Sequence, residues 1–289
     1  MKLLCNRAFD QLGRNDVQNL PEITFVVPCF NEEPHILAES LESVALQSFR
    51  NFECLVIDES TKPASTLAIA AICDSDARFR HVIPTQRIGL AGSLNLGISQ
   101  ARGEFIARFD SDDVCSTNRL SLQLDWMIKN PHVDVLGGGL EIVDREGKTL
   151  AFRDYPLDHE TISRQFHRTT AVAHPTVLMR TAALKSVGGY DPQFRFAEDL
   201  DLWLRMLNNG NRFANLPQTI VKYRQNSTNR NPDHWRYNLR ARKKNFVRSN
   251  LISRLIGIGL INAWLFTPAF LQKQVFRLAL LRSKKRSKL

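Results

Sequence analysis

The chain has 289 residues, of which 43% are hydrophobic, so it can bury the core of one large domain, and a globally disordered protein is excluded. Its five cysteines are scattered and never spaced as CxxC, which excludes a disulfide framework or a zinc ribbon and favours a reducing cytoplasm. The net charge of +10 is unevenly distributed: residues 234–289 hold 14 of the 39 basic and none of the 29 acidic side chains, which leaves 25 basic and 29 acidic ones, a net of −4, in the first 233 residues.

The first part of the chain alternates between short apolar strands and helices. Residues 1–21 form an N-terminal extension that lacks the apolar run of a secretory signal. Strands are predicted over 23–29, 52–58, 79–83 and 104–109. One helix is predicted to start after Asn31, which would cap it, and two more are predicted over 64–73 and 89–102. This alternation predicts an α/β fold with a mostly parallel central sheet, in which ligands bind beyond the carboxyl ends of the strands. Asp58 and Asp110 each follow or end such a strand, so they are expected to share one crevice.

The pattern becomes less regular after residue 115. A helix is predicted over 118–129, and strands over 133–143 and 149–152 flank a hairpin turn at 144–147. An amphipathic helix is predicted over 198–208, and a last strand follows over 219–223.

Three carboxylates lie within four positions after the fourth predicted strand, in the sequence RFDSDD at 108–113. Asp110 and Asp112 can point the same way in a loop and offer hard oxygen ligands that suit Mg²⁺ or Mn²⁺, ions that also take phosphate oxygens. A solvated acidic turn explains the bare motif about as well, but its place at a strand end favours a site for a metal ion and a nucleotide. For Asp113, capping of the next turn or pairing with Arg119 is as plausible as metal ligation.

Five segments carry a likeness that runs through residues 22–225. They are VVPCFNEE at 26–33, LVIDES at 55–60, GLAGSLNLG at 89–97, ARGEFI at 101–106 with DSDD at 110–113, and FAEDLD at 196–201. In this order they resemble glycosyltransferase family 2, and AHPTVLMR at 173–180 resembles its bacterial surface-polysaccharide (O-antigen and exopolysaccharide) members. The resemblance implies a Rossmann-like GT-A domain over 22–232, with a nucleotide-sugar-binding half at 22–115 and an acceptor-binding half at 116–232.

The resemblance also implies roles for individual residues of the first half. Pro28, Glu32 and Asp58 would line the nucleoside pocket, with Asp58 accepting a hydrogen bond from the uracil of a UDP-sugar. Asp110 would face the ribose and the metal, and Asp112 would ligate the metal. The remaining residues expected to bind the donor are Arg87, Asn95 and Ser111. The Mn²⁺ or Mg²⁺ cofactor would offset the charge that builds on the departing diphosphate.

Glu198 and Asp199 begin the helix at 198–208, where the helix dipole favours anions, so capping alone would explain either residue. An inverting transfer also needs a carboxylate that takes the proton of the acceptor hydroxyl. The resemblance assigns this base to Asp199, with Glu198 orienting the acceptor or the base. Asp201 is expected at the surface or in packing.

Four further positions are open between two roles. His174 precedes a proline and must be extended, so it could face the acceptor or serve as a structural histidine. Arg224 and Arg87 are as well explained by a contact with diphosphate as by a salt bridge. Glu59 stands where the family commonly has aspartate, which leaves its role open. The chain shows neither the QxxRW element nor the several membrane spans of processive members, which favours addition of a single sugar.

Residues 233–289 form a basic, apolar tail. The 18 residues from 255 to 272 carry no charge, which is the lower limit for a membrane span, but Gly257, Gly259 and Pro268 make the span a poor one. A helix lying at an anionic membrane surface fits better, while a core helix and a true span stay open. On a cytoplasmic transferase held at the inner face of the membrane, such a tail predicts a lipid-linked glycan acceptor, for example one carried on polyprenyl diphosphate.

Two other function classes are weighed against this prediction. A sugar nucleotidyltransferase needs a glycine-rich, basic phosphate loop after its first strand, where this chain has the acidic PCFNEE at 28–33. A non-enzymatic protein that binds membrane or nucleic acid through its tail leaves the placement of the carboxylates unexplained. We therefore predict an inverting glycosyltransferase that moves a single hexose-type sugar from a UDP-sugar to a glycan acceptor, with no nucleic-acid partner.

Overall fold

The computed structural model of the protein describes residues 20–225, 233–268, 271–272 and 274. The predicted N-terminal extension, apart from its last two residues, and the basic end of the predicted tail lie outside these ranges.

The chain folds into nine described strands and nine described α-helices. The strands are β1 (Ile23–Cys29), β2 (Phe52–Asp58), β3 (Phe79–Val82), β4 (Phe105–Arg108), β5 (Val114–Cys115), β6 (Val135–Val143), β7 (Thr149–Arg153), β8 (Leu178–Arg180) and β9 (Phe213–Arg224). The helices are α1 (Pro34–Ala45), α2 (Pro63–Ser75), α3 (Gly89–Gln100), α4 (Arg119–Lys129), α5 (His159–Phe166), α6 (Thr181–Ser186), α7 (Glu198–Asn208), α8 (Asp233–Lys244) and α9 (Leu251–Leu265).

One sheet runs through both halves in the order β3-β2-β1-β4-β8-β6-β9-β5, with β7 paired to β6. The first four strands are parallel to one another, as the alternation of strands and helices predicts. The sheet as a whole is mixed, because β8 is antiparallel to both β4 and β6, β5 is antiparallel to β9, and β6 and β7 form the predicted hairpin. Antiparallel strands need no crossover helix, so the second half departs from a regular alternation.

Strands β1 and β2 are mainly apolar because both faces of the sheet are covered. Along β1, Phe25 and Val27 pack into the core on one face and Val26 into the core on the other. Along β2, Cys54 and Val56 pack on the first of these faces, and Leu55 and Ile57 pack on the other. Successive side chains of a strand point to opposite faces, so a strand buried on both sides is apolar along most of its length. The buried polar pair in these strands is satisfied internally, since Thr24 Oγ1 donates to Glu53 Oε1 at 2.8 Å.

The start of α1 differs from the prediction. Asn31 does not cap the helix, which begins at Pro34 with Glu33 as its N-cap residue. Asn31 instead has a positive φ of 66°, and its Oδ1 accepts hydrogen bonds from the main-chain nitrogens of Thr61 and Lys62 at 2.8 and 2.9 Å. The loop after β1 is thereby tied to the loop after β2, at the edge of the sheet where the ligand site is predicted.

The last two helices extend the second half. α8 packs against α7, and α9 packs against α8. Within the described part of the chain, no helix is both long enough and apolar enough to cross a membrane.

Candidate active site

The carboxyl ends of β2, β1 and β4 lie side by side because these three strands are adjacent and parallel. Asp58 is the last residue of β2 and is almost completely buried. Its Oδ1 accepts from the main-chain nitrogen of Ser60 at 2.8 Å, and its Oδ2 lies 3.0 Å from His81 Nε2. Burial alone would raise the pKa of Asp58, but the hydrogen bonds from Ser60 and His81 hold it below its ordinary value. The carboxylate therefore stays charged.

Glu32 lies in the loop that follows β1, beside Asp58 and the end of β4. Its Oε2 accepts from the main-chain nitrogen of Phe30 at 2.8 Å. Burial raises the pKa of Glu32, and hydrogen bonds from the main chain and from Ser111 partly oppose the rise. Pro28 pairs with Ile57 next to the end of β2. The structure thus brings Pro28, Glu32 and Asp58, the residues predicted to line a nucleoside pocket, to one edge of the sheet, with Ser111 next to Glu32.

Glu59 caps α3, which explains why a longer acidic side chain stands at this position. Its two carboxylate oxygens accept from the main-chain nitrogens of Ile88 and Gly89, each at 3.1 Å, and Oε1 also accepts from Ser93 Oγ at 2.6 Å. These nitrogens are among the helix donors that have no partner within the helix. Arg87 lies at the same place, with Nε 3.8 Å from Glu59 Oε2 and its guanidinium 3.8 Å from the centre of the Phe30 ring.

The side-chain amide of Asn95 is hydrogen-bonded to the protein main chain. Its Nδ2 donates to the carbonyl oxygen of Tyr190 at 2.7 Å, and its Oδ1 accepts from the main-chain nitrogen of Tyr190 at 2.8 Å. These two bonds give Asn95 a structural role, and its contact with the nucleotide stays a prediction. The residue joins α3 of the first half to the segment before α7.

The acidic loop after β4 concentrates negative charge that the described side chains only partly neutralise. Asp110 Oδ2 forms an ion pair with Nη1 of the buried Arg108. Asp113 is fully buried, and its Oδ2 has no hydrogen-bond partner among the described residues. Burial, followed by the charges of Asp110 and Asp112, raises the pKa of Asp113 well above its ordinary value. The expected pairing of Asp113 with Arg119 is not observed, since Arg119 donates to Gln123 and to main-chain carbonyls.

Arg224, the last residue of β9, holds the acidic loop from the second half. Its main-chain nitrogen donates to Asp113 Oδ1 at 2.8 Å, and its Nε donates to the carbonyl oxygen of Asp112 at 3.0 Å. Its remaining guanidinium bonds go to the carbonyl oxygen of Arg145 and to Glu39 Oε2, both at 2.6 Å. The residue is 5% exposed. Of the two roles left open for Arg224, the structure therefore favours the salt bridge, which is formed with Glu39.

The acidic loop fits a divalent cation that shares its ligands with a bound diphosphate. In the described part of the chain, no three His, Cys, Asp or Glu side chains are grouped as a complete metal site. Mg²⁺ usually takes only one or two carboxylates and completes its shell with water and substrate phosphates. Asp110 and Asp112 can supply that number. After burial, the charges of Asp110 and Asp112 contribute to the raised pKa of Asp113, as expected where several carboxyl groups lie close together in one loop.

Glu198 and Asp199 open α7 in different surroundings. Ala197, immediately before them, has a left-handed backbone with a φ of 55°. Glu198 is buried, and burial together with the charge of Asp199 raises its pKa to about 8, although Arg108 lowers it. Asp199 is half-buried, and its Oδ1 accepts from the main-chain nitrogen of Leu200 at 2.7 Å. The more accessible carboxylate is thus Asp199, the residue predicted to be the base.

His174 belongs to a buried group beneath these carboxylates. Its Nε2 lies 2.7 Å from Tyr190 Oη, and its Nδ1 lies 4.0 Å from Glu198 Oε1. Burial, with a contribution from the charge of Arg108, lowers the pKa of His174 well below its ordinary value, so the imidazole is neutral. The structure favours the structural alternative for His174, because it is buried and faces Glu198 rather than solvent.

Arg108 is the residue of this site that the sequence reasoning missed. It pairs directly with Asp110 of the donor half, and its charge also acts on Glu198, His174 and Tyr190 of the second half. Burial alone would lower the pKa of Arg108, but Asp110 raises it above its ordinary value. The signal for it is an arginine inside the otherwise apolar strand β4, directly before the acidic motif.

Of the two roles expected for Asp201, surface or packing, the structure shows packing. It is 0% exposed, and its carboxylate accepts from Arg205 Nε at 2.8 Å, Lys244 Nζ at 3.0 Å and Asn245 Nδ2 at 2.9 Å. Arg205 lies in α7, while Lys244 and Asn245 lie at the end of α8. Asp201 therefore fastens the C-terminal helices to the helix that carries Glu198 and Asp199.

Residues 24–188 match glycosyl transferase family 2, which is more than half of the chain. The putative glycosyltransferase EpsE of Bacillus subtilis is 34% identical over 212 residues, which cover 72% of this chain and 74% of EpsE. The chain belongs to glycosyl transferase family 2. It is therefore a glycosyltransferase, and the nucleotidyltransferase and non-enzymatic alternatives are set aside.

Two further proteins extend the comparison with this family. The UDP-Gal:alpha-D-GlcNAc-diphosphoundecaprenol beta-1,3-galactosyltransferase of Escherichia coli is 28% identical over 197 residues, which cover 67% of this chain and 70% of that enzyme. The mannosyltransferase PcManGT of Pyrobaculum calidifontis, solved in complex with GDP-Man and Mn²⁺, has a TM-score of 0.62 and 16% identity, covering 92% of this chain and 76% of that one. The likeness in structure confirms the predicted GT-A fold.

The family 2 match stops ten residues before Glu198. It covers every predicted donor and metal residue, from Pro28 to Asp112, and also His174. The carboxylates of α7 lie beyond it. Their place in the site rests on the electrostatic effect of Arg108 on Glu198 and on the proximity of Glu198 to His174.

Proposed function

We propose that this glycosyltransferase is inverting, and that it transfers a single hexose-type sugar from a UDP-sugar to a glycan acceptor in cell-surface polysaccharide biosynthesis. The observation that carries the proposal is the position of Arg108, which is paired with Asp110 in the donor half and acts electrostatically on Glu198 in the second half. This electrostatic link supports a single site that contains the donor residues and the carboxylates at the start of α7. The E. coli relative, named for a UDP-Gal donor and a diphosphoundecaprenol-linked acceptor, supports the UDP-sugar and the lipid-linked acceptor.

The donor is proposed to bind at the carboxyl edge of β2, β1 and β4. Asp58 stays ionised and can accept a hydrogen bond from the N–H of a uracil ring, while Pro28 and Glu32 form the adjoining wall. Ser111, within the acidic loop, hydrogen-bonds Glu32 and so links this wall to the loop. Arg87 is exposed at the rim, where its planar guanidinium suits a phosphate group.

Asp110 and Asp112 are proposed to hold Mn²⁺ or Mg²⁺, which would offset the negative charge that develops on the diphosphate. The Mn²⁺ in the PcManGT structure supports a divalent ion for this fold. Arg224 and Asp113 keep the loop in place from the side opposite the donor.

Asp199 is proposed as the base. It takes the proton of the acceptor hydroxyl as that oxygen bonds to the anomeric carbon, and the bond from this carbon to the diphosphate oxygen breaks with its electron pair leaving on the nucleoside diphosphate. Attack from the face opposite the leaving group inverts the anomeric configuration. Glu198, with a pKa raised to about 8, is largely protonated at neutral pH and can donate a hydrogen bond that orients the acceptor.

Residues 22–232 are proposed as the catalytic domain, divided at residue 115, and residues 233–289 as a tail that holds the enzyme at the inner face of the cell membrane. The uneven distribution of charge supports membrane binding by the tail, because residues 234–289 carry 14 basic and no acidic side chains. No nucleic acid is proposed as a partner.

A screen of UDP-, GDP- and dTDP-sugars tests the donor and the ion together. Thermal stabilisation and slow donor hydrolysis are measured with Mn²⁺ and with a chelator, and the anomer released first is identified by NMR. We expect a UDP-sugar to stabilise the protein only when Mn²⁺ is present, and the released sugar to have inverted configuration. Preference for a GDP-sugar would overturn the proposal that the donor is a UDP-sugar. Release of a sugar with retained anomeric configuration would overturn the inverting mechanism.

A further inference from the structure

Helix α9 carries its apolar side chains outward. Its buried positions are Arg254, Gly257 and Ile261. Four large apolar side chains on the other side are exposed, and Phe266 continues their row beyond the helix end. This α9 stripe consists of Ile252, Leu255, Ile256, Leu260 and Phe266. Ile252 is 74% exposed and Phe266 87%. Spacings of three and four residues place the four helical members on one face.

The opposite face of α9 is fixed to the body of the protein. Arg254 is 6% exposed and donates to Asn208 Oδ1 of α7 and to the carbonyl oxygen of Asn245, each at 2.8 Å. A methyl group at Gly257 would lie 1.6 Å from the carbonyl oxygen of His167, so the helix backbone approaches the body very closely there. These contacts of Arg254 and Gly257 with the body of the protein fix the orientation of α9, and this orientation leaves the α9 stripe exposed.

The charge around the α9 stripe indicates what kind of surface would cover it. The segment that leads into α9 exposes Lys243 and Arg248 next to the apolar Phe246 and Val247. No acidic residue occurs anywhere from residue 234 to the end of the chain. An occupant must accept a row of apolar side chains and also the exposed positive charges of the segment beside them. The boundary between acyl chains and headgroups of an anionic bilayer offers both.

We infer that the α9 stripe inserts into the interface of an anionic membrane, with α9 lying in the membrane plane. The inference rests on the membrane-associated function proposed above, and it identifies the α9 stripe as the surface that contacts the membrane. Arg254 bonds α9 to Asn208 at the end of α7, and Asp201 bonds α7 to the end of α8. The helix that begins with Glu198 and Asp199 is thus held at a fixed angle to the membrane-docking face, which suits an acceptor presented from a lipid.

Flotation of the full-length protein with vesicles tests this inference. Vesicles of phosphatidylcholine alone are compared with vesicles of phosphatidylcholine and phosphatidylglycerol. The stripe variant is Leu255→Ser/Ile256→Ser/Leu260→Ser. The matched control, Leu67→Ser/Ile83→Ser/Ile128→Ser, removes three exposed apolar side chains elsewhere on the protein. We expect wild type and control to bind the anionic vesicles equally, and the stripe variant to bind them on the order of 100-fold more weakly.

Each contrary result has a distinct meaning. Equal binding of the stripe variant and wild type to anionic vesicles would overturn the α9 stripe as the docking face. A wild-type dimer that the stripe variant dissociates would show that a second copy covers the stripe, and would overturn it as well. Mn²⁺-dependent donor hydrolysis without vesicles is measured on the same samples. If wild type hydrolyses donor but binds no vesicle, the membrane inference fails and the glycosyltransferase proposal stands.

Discussion

The main-chain nitrogen of Arg224 donates a hydrogen bond to Asp113 Oδ1 at 2.8 Å, although the two residues are 111 positions apart in the chain. The bond joins the end of β9 to the acidic loop after β4. Together with the contact from Arg224 Nε to the carbonyl oxygen of Asp112, it fixes the backbone of the loop that carries Asp110 and Asp112. The loop is organised by the protein, and the ion is expected to arrive with the nucleotide.

Replacement of Asp112 by alanine should abolish the Mn²⁺ dependence of donor binding. An ion held by two carboxylates and a diphosphate loses one of its few protein ligands, so we expect at least about tenfold weaker binding of the nucleotide-sugar with Mn²⁺, and no change without it. Calorimetric titration measures both. Asp125→Ala, an exposed position in α4, is the control and should bind as wild type does. Undiminished Mn²⁺-dependent binding by Asp112→Ala would contradict its role as a ligand.

The variant Asn95→Ala should lose stability and keep its affinity for the donor. The substitution leaves the main-chain N–H and carbonyl of Tyr190 without their partners, which costs about 2 kcal/mol in the free energy of unfolding. Urea unfolding measures this loss, and Asn118→Ala, which removes an exposed amide, should lose far less. A large fall in donor affinity at unchanged stability would show instead that Asn95 contacts the nucleotide.

The stability of wild type should fall relative to Glu198→Gln as the pH rises. The pKa of Glu198 is about 8 in the folded protein, above its ordinary value of 4.5, so the folded state binds this proton more tightly than the unfolded state does. The resulting stability is complete below pH 4.5 and is lost as the pH rises through about 8, at about 1.4 kcal/mol per unit of pKa difference. Glutamine does not ionise and escapes this loss.

Urea unfolding of both proteins between about pH 5 and pH 9 gives the comparison. His174, with its lowered pKa, loses stability toward acid, but it is present in both proteins and cancels in the difference. A difference in unfolding free energy that stays constant across this range would show that Glu198 is ionised throughout.

Two glycines of α9 should respond in opposite ways to alanine. A methyl group at Gly257 would overlap the carbonyl oxygen of His167, so Gly257→Ala should displace α9 from the body and accelerate proteolysis of residues 245–250. At Gly259 the methyl group meets no described atom within 4 Å, and alanine should stabilise the helix by about 0.5–1 kcal/mol. Faster proteolysis of both variants, or of neither, would contradict the packing of α9.

The first half of the fold could be predicted because its sequence patterns are local. The apolar run of β1 has the same limits in sequence and structure, and helix α7 also begins and ends where its amphipathic pattern does. The long strand β9 was predicted to start at residue 219, whereas it starts at Phe213. Its first residues pair with β6, and such pairing between distant segments leaves no periodic signal in one strand alone.

The candidate site could be predicted only where strand ends determine position. Asp58 and Asp110 follow from the parallel order of the sheet. Asn95 and Arg224 have the residue types that bind nucleotides, but their partners are main-chain groups far away in sequence, which no spacing rule specifies. Arg108 was overlooked because a charged residue in a buried strand is understood only when its partner, here Asp110, is known.

The central claim is that one site binds the nucleotide-sugar through its first half and activates the acceptor through Asp199. The most direct test compares wild type with Asp199→Asn, using calorimetry for donor binding with Mn²⁺ and the release of nucleoside diphosphate for turnover. We predict donor affinity within about twofold of wild type and turnover lower by a factor of 10² or more, since a positioned base contributes about that much. Turnover of Asp199→Asn close to the wild-type rate would contradict the account.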